Sequence, residues 1–380
     1  MTEISCYWAC VSKQPRDSSD YRVLSCSASQ VAKYRALELP DRPGTPDTQA
    51  EGRVDSLPWV TFGRNGQADH QLTMSIMTWT DYQDADNRPV TLTRFFLLPY
   101  DQLPGTAGYA DLYGAAATLP LPPQAGTELV SLTLSDAPVS TGHDAARHDL
   151  PSHDLRWAAA TAAVLLESRV IITGPQDADT QRRLAAVDAI TRFLPYGYRA
   201  DLTVASWASY PEQHWQRLCF GPYAAGDLTG VRLDTNPEPQ SPAARQYHSL
   251  LLRYLDSRQE DRLIAWLAGW SAPLSFAAGA GAALEILQEL DLPDAVLEEV
   301  RAGRGSWERV RRVLTERGPD VFDERGRYDI FRFALTVRGL DAGRALGPYW
   351  SPLLCAAVVD AAHQASGPAD ADRIASAFVP

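Results

Sequence analysis

In "HQLTMSIMTW" (70–79), Leu72, Met74 and Ile76 alternate with Thr73, Ser75 and Met77. That period of two predicts a half-buried strand. Short apolar runs bounded by turn residues recur on either side of it. They are "ISCYWACVS" (4–12), "YRVLSCS" (21–27), "LPWVTFG" (57–63) and "PVTLTRFFLLPY" (89–100). Polar connections such as "PRDSSD" and "DYQDADNR" separate them, so the first third reads as antiparallel β. Trp59, Phe62, Trp79, Phe95 and Phe96 are expected to pack across one face of this sheet. Cys6 and Cys10 lie four apart on one strand, which places both on one face as small buried residues. "SQVAKYRALEL" (29–39) predicts a short helix with Ser29 near its N-cap, and 40–56, rich in Pro, Asp and Gly, predicts a loop.

The period then changes. A helix is expected over 109–117, a strand at "TELVSLTL" (127–134), and an alanine-rich helix at "HDLRWAAATAAVLLES" (153–168). "RVIIT" (169–173) predicts a buried strand broken by Gly174-Pro175. A helix follows from about Asp177 to Leu194, with Leu184, Val187, Ile190 and Leu194 on one face. Leu202 and Val204 open the next strand, giving a βαβ-like unit. Further strands are expected at 216–223 and 230–235. From Ser241-Pro242, an N-cap followed by proline at the first helical position, the pattern is helical. Helices are expected over 260–270, 279–290, 293–302, 306–316, 328–338 and 351–364. The reading is an α+β protein of three parts: a β-rich N-terminal domain (1–140), an α/β middle domain (153–240) and an α-helical C-terminal module (241–380).

The strand–loop–helix at 169–194 has the outline of a phosphate-binding unit but lacks its chemistry. Such a loop needs clustered glycines, a lysine for the phosphates and a hydroxyl for magnesium. Here one glycine, Gly174, stands in the loop, and the chain's two lysines are Lys13 and Lys33. Asp177 and Asp179 at the helix start satisfy its free N–H groups and oppose an incoming anion. No nucleotide and no other cofactor is expected.

"LPYGYRAD" (194–201), after that helix, is the segment richest in contact-forming residue types. Tyr196, Gly197, Tyr198 and Arg199 supply tyrosine and arginine, which dominate protein–protein hot spots if they are exposed. The other reading is a helix C-cap with Gly197 in the left-handed conformation, both tyrosines packed down and Arg199 paired with Asp201.

Charge narrows the partners. A net charge of −12 argues against nucleic acid and against an anionic membrane surface. Nothing in the chain reads as a membrane span or a signal peptide. Five scattered cysteines without a C-x-x-C pair fit a reducing cytoplasm better than a disulfide framework. His143, His148 and His153, each followed by aspartate, are candidate divalent-metal ligands for a hydrolase. Their spacing of five suits neither one helix face nor one strand face, and a polar linker is the plainer reading. Cys219 is expected to be buried on a strand rather than paired with His214, and the arginine-rich stretch 303–318 reads as a solvated helix face.

"ESRVIITGPQDADTQRRLAAVDAITRFLPYGYRADLTVASWA" (167–208) resembles a recurrent segment of actinobacterial GTPase-associated proteins. In that segment a helix ending in Leu-Leu-Pro-Tyr-Gly leads to Arg-Ala-Asp/Ser-Leu and a strand bearing Trp or Thr. "LPWVTFG" and "RPVTLTRFFLLPYDQL…GYADLYGAA" resemble the N-terminal module of the same family, so the likeness spans 4–260. It implies a part in bacterial conflict or signalling systems encoded beside GTPases and effectors. The expectation is a cytoplasmic, non-enzymatic adaptor or regulatory protein with protein partners. A metal-dependent hydrolase and a structural subunit of a larger complex are the alternatives.

Overall fold

The computed structural model describes residues 1–27, 57–64, 71–105, 107–122, 129–134, 155–174, 179–210, 216–338, 340–349, 351–364 and 367. The fold is α+β, built on a mixed sheet. Its strands are β1 (Thr2–Ser12), β2 (Arg22–Cys26), β3 (Trp59–Arg64), β4 (Gln71–Gln83), β5 (Pro89–Pro99), β6 (Val130–Leu134), β7 (Arg169–Thr173), β8 (Val204–Ala205), β9 (Leu218–Phe220) and β10 (Leu228–Arg232). They lie in the order β10-β7-β9-β8-β3-β4-β5-β1-β2, with β6 also paired to β1. The four strands from β10 to β8 are parallel, and every other pairing is antiparallel.

Register explains the core. Val204, Phe62, Met74, Phe96 and Trp8 form one cross-strand row, and all five are fully buried. Each contributes about 1.5–3 kcal/mol through its buried apolar surface, and Phe96→Ala alone would cost about 3–5 kcal/mol. The aromatic residues therefore do not share one face. Trp59 and Phe95 alternate with Phe62 and Phe96 and point to the opposite side. Trp79, near the far end of the β4–β5 hairpin, is exposed. β4 is also not half-buried as its alternation predicts, because Leu72 to Met77 are buried on both faces. An apolar/hydroxyl alternation identifies the strand but does not reveal that both of its faces are covered.

The helices of this part are α1 (Tyr109–Ala117), α2 (Leu155–Glu167), α3 (Thr180–Thr191), α4 (Pro242–Asp256) and α5 (Glu260–Gly269). Ten consecutive residues of α2, Trp157 to Leu166, are buried, which only its alanines make possible. Long-range side chains close several helix ends. Arg94 Nη2 donates to Ala117 O, on the last residue of α1, at 2.9 Å. Arg217 Nε and Nη2 both donate to Leu165 O, at 3.0 and 2.8 Å, in the last turn of α2. Glu167 accepts from Gln240 N and Ser241 N at the start of α4. A guanidinium can make two such bonds from one side chain and an ammonium matches that geometry poorly, so arginine suits these positions.

The chain divides into two units, Met1–Ile286 and Leu287–Pro380. This differs from the three parts read from composition. The sheet runs without a break from the N-terminal strands into the βαβ-like unit, because β8 pairs with both β3 and β9. The pair α4 and α5 belongs to the first unit, where Tyr247 is fully buried and donates its hydroxyl to Phe193 O at 2.6 Å.

The second unit is helical. It holds most of α6 (Gly279–Arg301), then α7 (Trp307–Arg317), α8 (Glu324–Arg338), α9 (Leu340–Leu346) and α10 (Pro352–His363). The expected break at Pro293 does not occur. Burial of Leu287, Leu290 and Val296 outweighs the hydrogen bond that proline lacks. Val296, Trp307, Val310, Val313, Ile330, Phe331, Leu335 and Leu354 form its core. The arginine-rich face of α7 is solvated as expected, with Arg312 reaching Glu316 and Glu289. Exposed pairs of this kind add at most about 1 kcal/mol each.

Candidate functional site

In the strand–loop–helix, the start of α3 is tied to protein groups. Asp179 is the N-cap and accepts from Arg182 N at 2.8 Å. Thr180 Oγ1 donates to Pro58 O. Arg183 is buried, donates to Ser206 O at 3.3 Å and stands 4.8 Å over the Trp207 ring. Gly174 fits against Leu233, whose Cδ1 would lie 3.1 Å from an added Cβ. Asp177 lies outside the described residues.

The segment after α3 is a buried knot. Tyr196 to Ala200 form a 3-10 turn in which Tyr196 is 5% and Tyr198 1% exposed. Neither ring is a surface hot spot, so the exposed reading of this pair is corrected. Rings of this size bury wherever the fold allows, and here each hydroxyl has a partner. Tyr196 donates to Pro104 O, and Tyr198 donates to Gly279 O while its ring packs 4.7 Å from Phe276. Burial raises both phenol pKa values, Tyr198 to about 12.

Gly197 is not a left-handed cap. A Cβ there would stand 1.9 Å from Ala272 O, so close approach of another backbone demands glycine. Gly197 N donates to Trp270 O at 2.7 Å and Gly197 O accepts from Leu274 N at 3.0 Å. Arg199 and Asp201 serve different segments. Arg199 donates to Ala107 O and stacks over the rings of Tyr196 at 4.8 Å and Tyr109 at 5.3 Å. Asp201 accepts from Ser275 Oγ and Phe276 N, at 2.8 and 2.9 Å.

A second carboxylate, this one buried, fixes the other side of the knot. Asp188, on α3, accepts from Tyr109 N at 2.6 Å and Ala110 N at 3.0 Å, closing the start of α1. Position 108 is glycine because a Cβ would lie 2.5 Å from that carboxylate. Burial raises the Asp188 pKa, while the Arg199 charge and the two N–H groups oppose the rise. The knot thus joins three stretches distant in sequence: 100–110, 193–201 and 270–279.

What it carries outward is the loop Gly269 to Pro273, all five residues of which are exposed. Trp270 is 38% exposed. Its ring meets that of Trp266 at 6.1 Å and 65°, edge to face. Trp266, half-buried, is oriented by its indole N–H, which donates to Ile286 O at 3.0 Å. Tyr100 Oη reaches Tyr196 O at 3.1 Å and Ser271 O at 3.4 Å, adding a third tie between knot and loop. No charged side chain occurs between Arg262 and Glu285. Sequence reasoning passed over Trp266 and Trp270, and that charge-free stretch in an acidic chain was the signal that could have found them.

Cys219 is buried on β9, and burial pushes its thiol pKa up to about 12, which disfavours the thiolate. His143, His148 and His153 lie outside the described residues, as do 29–39 and 40–56. Among the described residues, no three His, Cys, Asp or Glu side chains stand close enough to hold a metal ion, and no helix is long and apolar enough to cross a membrane. No family model matches the chain, and no curated protein matches it.

Proposed function

We propose that this chain is a non-enzymatic adaptor or regulatory protein that holds another protein against the Trp270 loop. One observation carries the reading. An exposed, uncharged loop bearing a tryptophan is fixed by main-chain bonds to a fully packed knot. Interfaces place aromatic residues in their centres and exclude charge from them. A loop already held in one conformation loses little entropy on binding. Tyr196, Gly197, Tyr198 and Arg199 then contribute to binding as the pedestal rather than as the contact. Their likeness to the GTPase-associated segment directs the search for the partner to a cytoplasmic GTPase or effector encoded nearby.

The test is binding of the purified chain to those proteins by surface plasmon resonance. Trp270→Ala should weaken the complex at least about tenfold, as truncation of a hot-spot tryptophan does. A complex whose affinity is unchanged by that substitution would refute the assignment of this surface.

A further inference from the structure

We infer that His248 makes the packing of α4 on α2 sensitive to pH, holding the two helices together while its imidazole is neutral and loosening them when it takes up a proton. The two helices run antiparallel and are clamped at both ends. Arg156, at the start of α2, pairs with Asp256, the last residue of α4. Glu167, the last residue of α2, accepts from Gln240 N and Ser241 N where α4 begins. His248 stands between the clamps, midway along α4, and is half-buried. Its Nε2 is buried and makes no hydrogen bond. The residue before it, Tyr247, holds Phe193 O at 2.6 Å, so α4 also fastens the turn that follows α3.

A neutral imidazole can occupy this place by carrying its proton on Nδ1, which leaves Nε2 a bare lone pair. Protonation turns that lone pair into an N–H on a charged ring. A buried charged donor without an acceptor costs more than a neutral one. The side chains of α2 have none to offer. Its buried run from Trp157 to Leu166 is apolar except for Thr161, whose hydroxyl is spent on Trp157 O at 2.8 Å. Charge does not help either. Among the described residues, α2 presents Arg156 and Glu167, α5 presents Glu260, Asp261 and Arg262, and α4 itself Arg245, Arg253 and Asp256. Of these, Arg156 acts on the ring, and it repels the proton. Burial and then Arg156 hold the His248 pKa below its ordinary 6.5. The folded chain therefore binds this proton less readily than the unfolded chain. The stability at stake is complete above pH 6.5 and is lost as pH falls below that value through the folded pKa.

The test is made on the full chain. The His248 ring nitrogens, assigned through the backbone, are followed by NMR from about pH 8 to about pH 5, the range in which an imidazole titrates. The expected result is the Nδ1–H tautomer at the alkaline end and a midpoint below 6.5, moved upward in Arg156→Met. Urea unfolding at the two ends of that range should show a loss of stability in acid that is smaller in His248→Gln. A midpoint at or above 6.5 in the unaltered chain would overturn the inference, and so would an acid loss of the same size in His248→Gln. The first of these outcomes needs no substitution at 248, so the inference can fail even where that variant does not fold.

Discussion

Replacing Gly197 by alanine isolates the contact on which the loop depends. The added Cβ would stand 1.9 Å from Ala272 O, 3.0 Å from Ala272 C and 3.1 Å from Leu274 Cγ. The Ala272 carbonyl must retreat by roughly 1.5 Å to reach ordinary contact. That movement stretches Gly197 N to Trp270 O and Leu274 N to Gly197 O beyond hydrogen-bond range. Each bond is worth about 0.5–1.5 kcal/mol net, and overpacking that cannot relax adds about 1–3 kcal/mol. Because the backbone at 197 is not left-handed, alanine also stiffens the unfolded chain, which returns about 0.4–1 kcal/mol. Overpacking and lost bonds outweigh that gain, so a net loss of about 2–3 kcal/mol is expected. Urea unfolding followed by circular dichroism measures it, and acrylamide quenching reports whether Trp270 becomes more exposed. A midpoint unchanged to within about 0.5 kcal/mol, the scatter of ordinary surface substitutions, would refute the claim that the loop is pinned here.

Three other substitutions test the framework around it. Asp188→Ala leaves the N–H groups of Tyr109 and Ala110 buried without an acceptor and should cost about 2–4 kcal/mol, read by the same unfolding experiment, with relief of the carboxylate's own desolvation as the offsetting effect. Arg217→Lys loses one of the two bonds to Leu165 O and the stacking on Phe276, and should cost about 1–2 kcal/mol in thermal denaturation, whereas an unperturbed melting curve would show that a point charge suffices. Asp84 pairs with the Lys13 side chain and accepts backbone bonds from Arg88 and Asp86 and a side-chain bond from Arg88; the bonds from Arg88 and Asp86 and the Arg88 charge hold its pKa at about 2 against 3.8. Its contribution is therefore complete above pH 3.8 and is lost as pH falls through about 2, so the acid limb of a stability–pH profile should flatten in Asp84→Asn.

The elements were readable because their periods are strong. The alternation in β4 and the stripe Leu184, Val187, Ile190 in α3 mark their types without ambiguity. What the sequence concealed were relations between distant segments. Gly197 next to Pro195 and Tyr196 has the look of a helix stop, since the carbonyl that demands glycine there belongs to Ala272. Phe95 and Phe96 read as one aromatic patch until register sends them to opposite faces. Asp188 sits on the buried side of α3 with no local sign that it closes α1. The candidate site suffered most from this. Residue chemistry pointed to the tyrosines and the arginine, whereas the surface proposed above is the uncharged loop they support, whose signature is the absence of charge rather than the presence of a motif.

The seam between the two halves of the sheet has a bearing on how the chain is made. β8 contributes two paired residues, Ala205 against Thr61 and Val204 against Phe62, and Ser206 adds its N–H to Val60 O and accepts from Val60 N, each at 2.8 Å. A ribosome finishes the β3–β4–β5 meander long before it reaches Ser206. Until then the nascent chain exposes the apolar outer edge of β3, which invites pairing with a neighbour. Fragments that stop near residue 140, where the sequence reading places the end of a domain, keep that edge open permanently and are expected to aggregate when expressed alone.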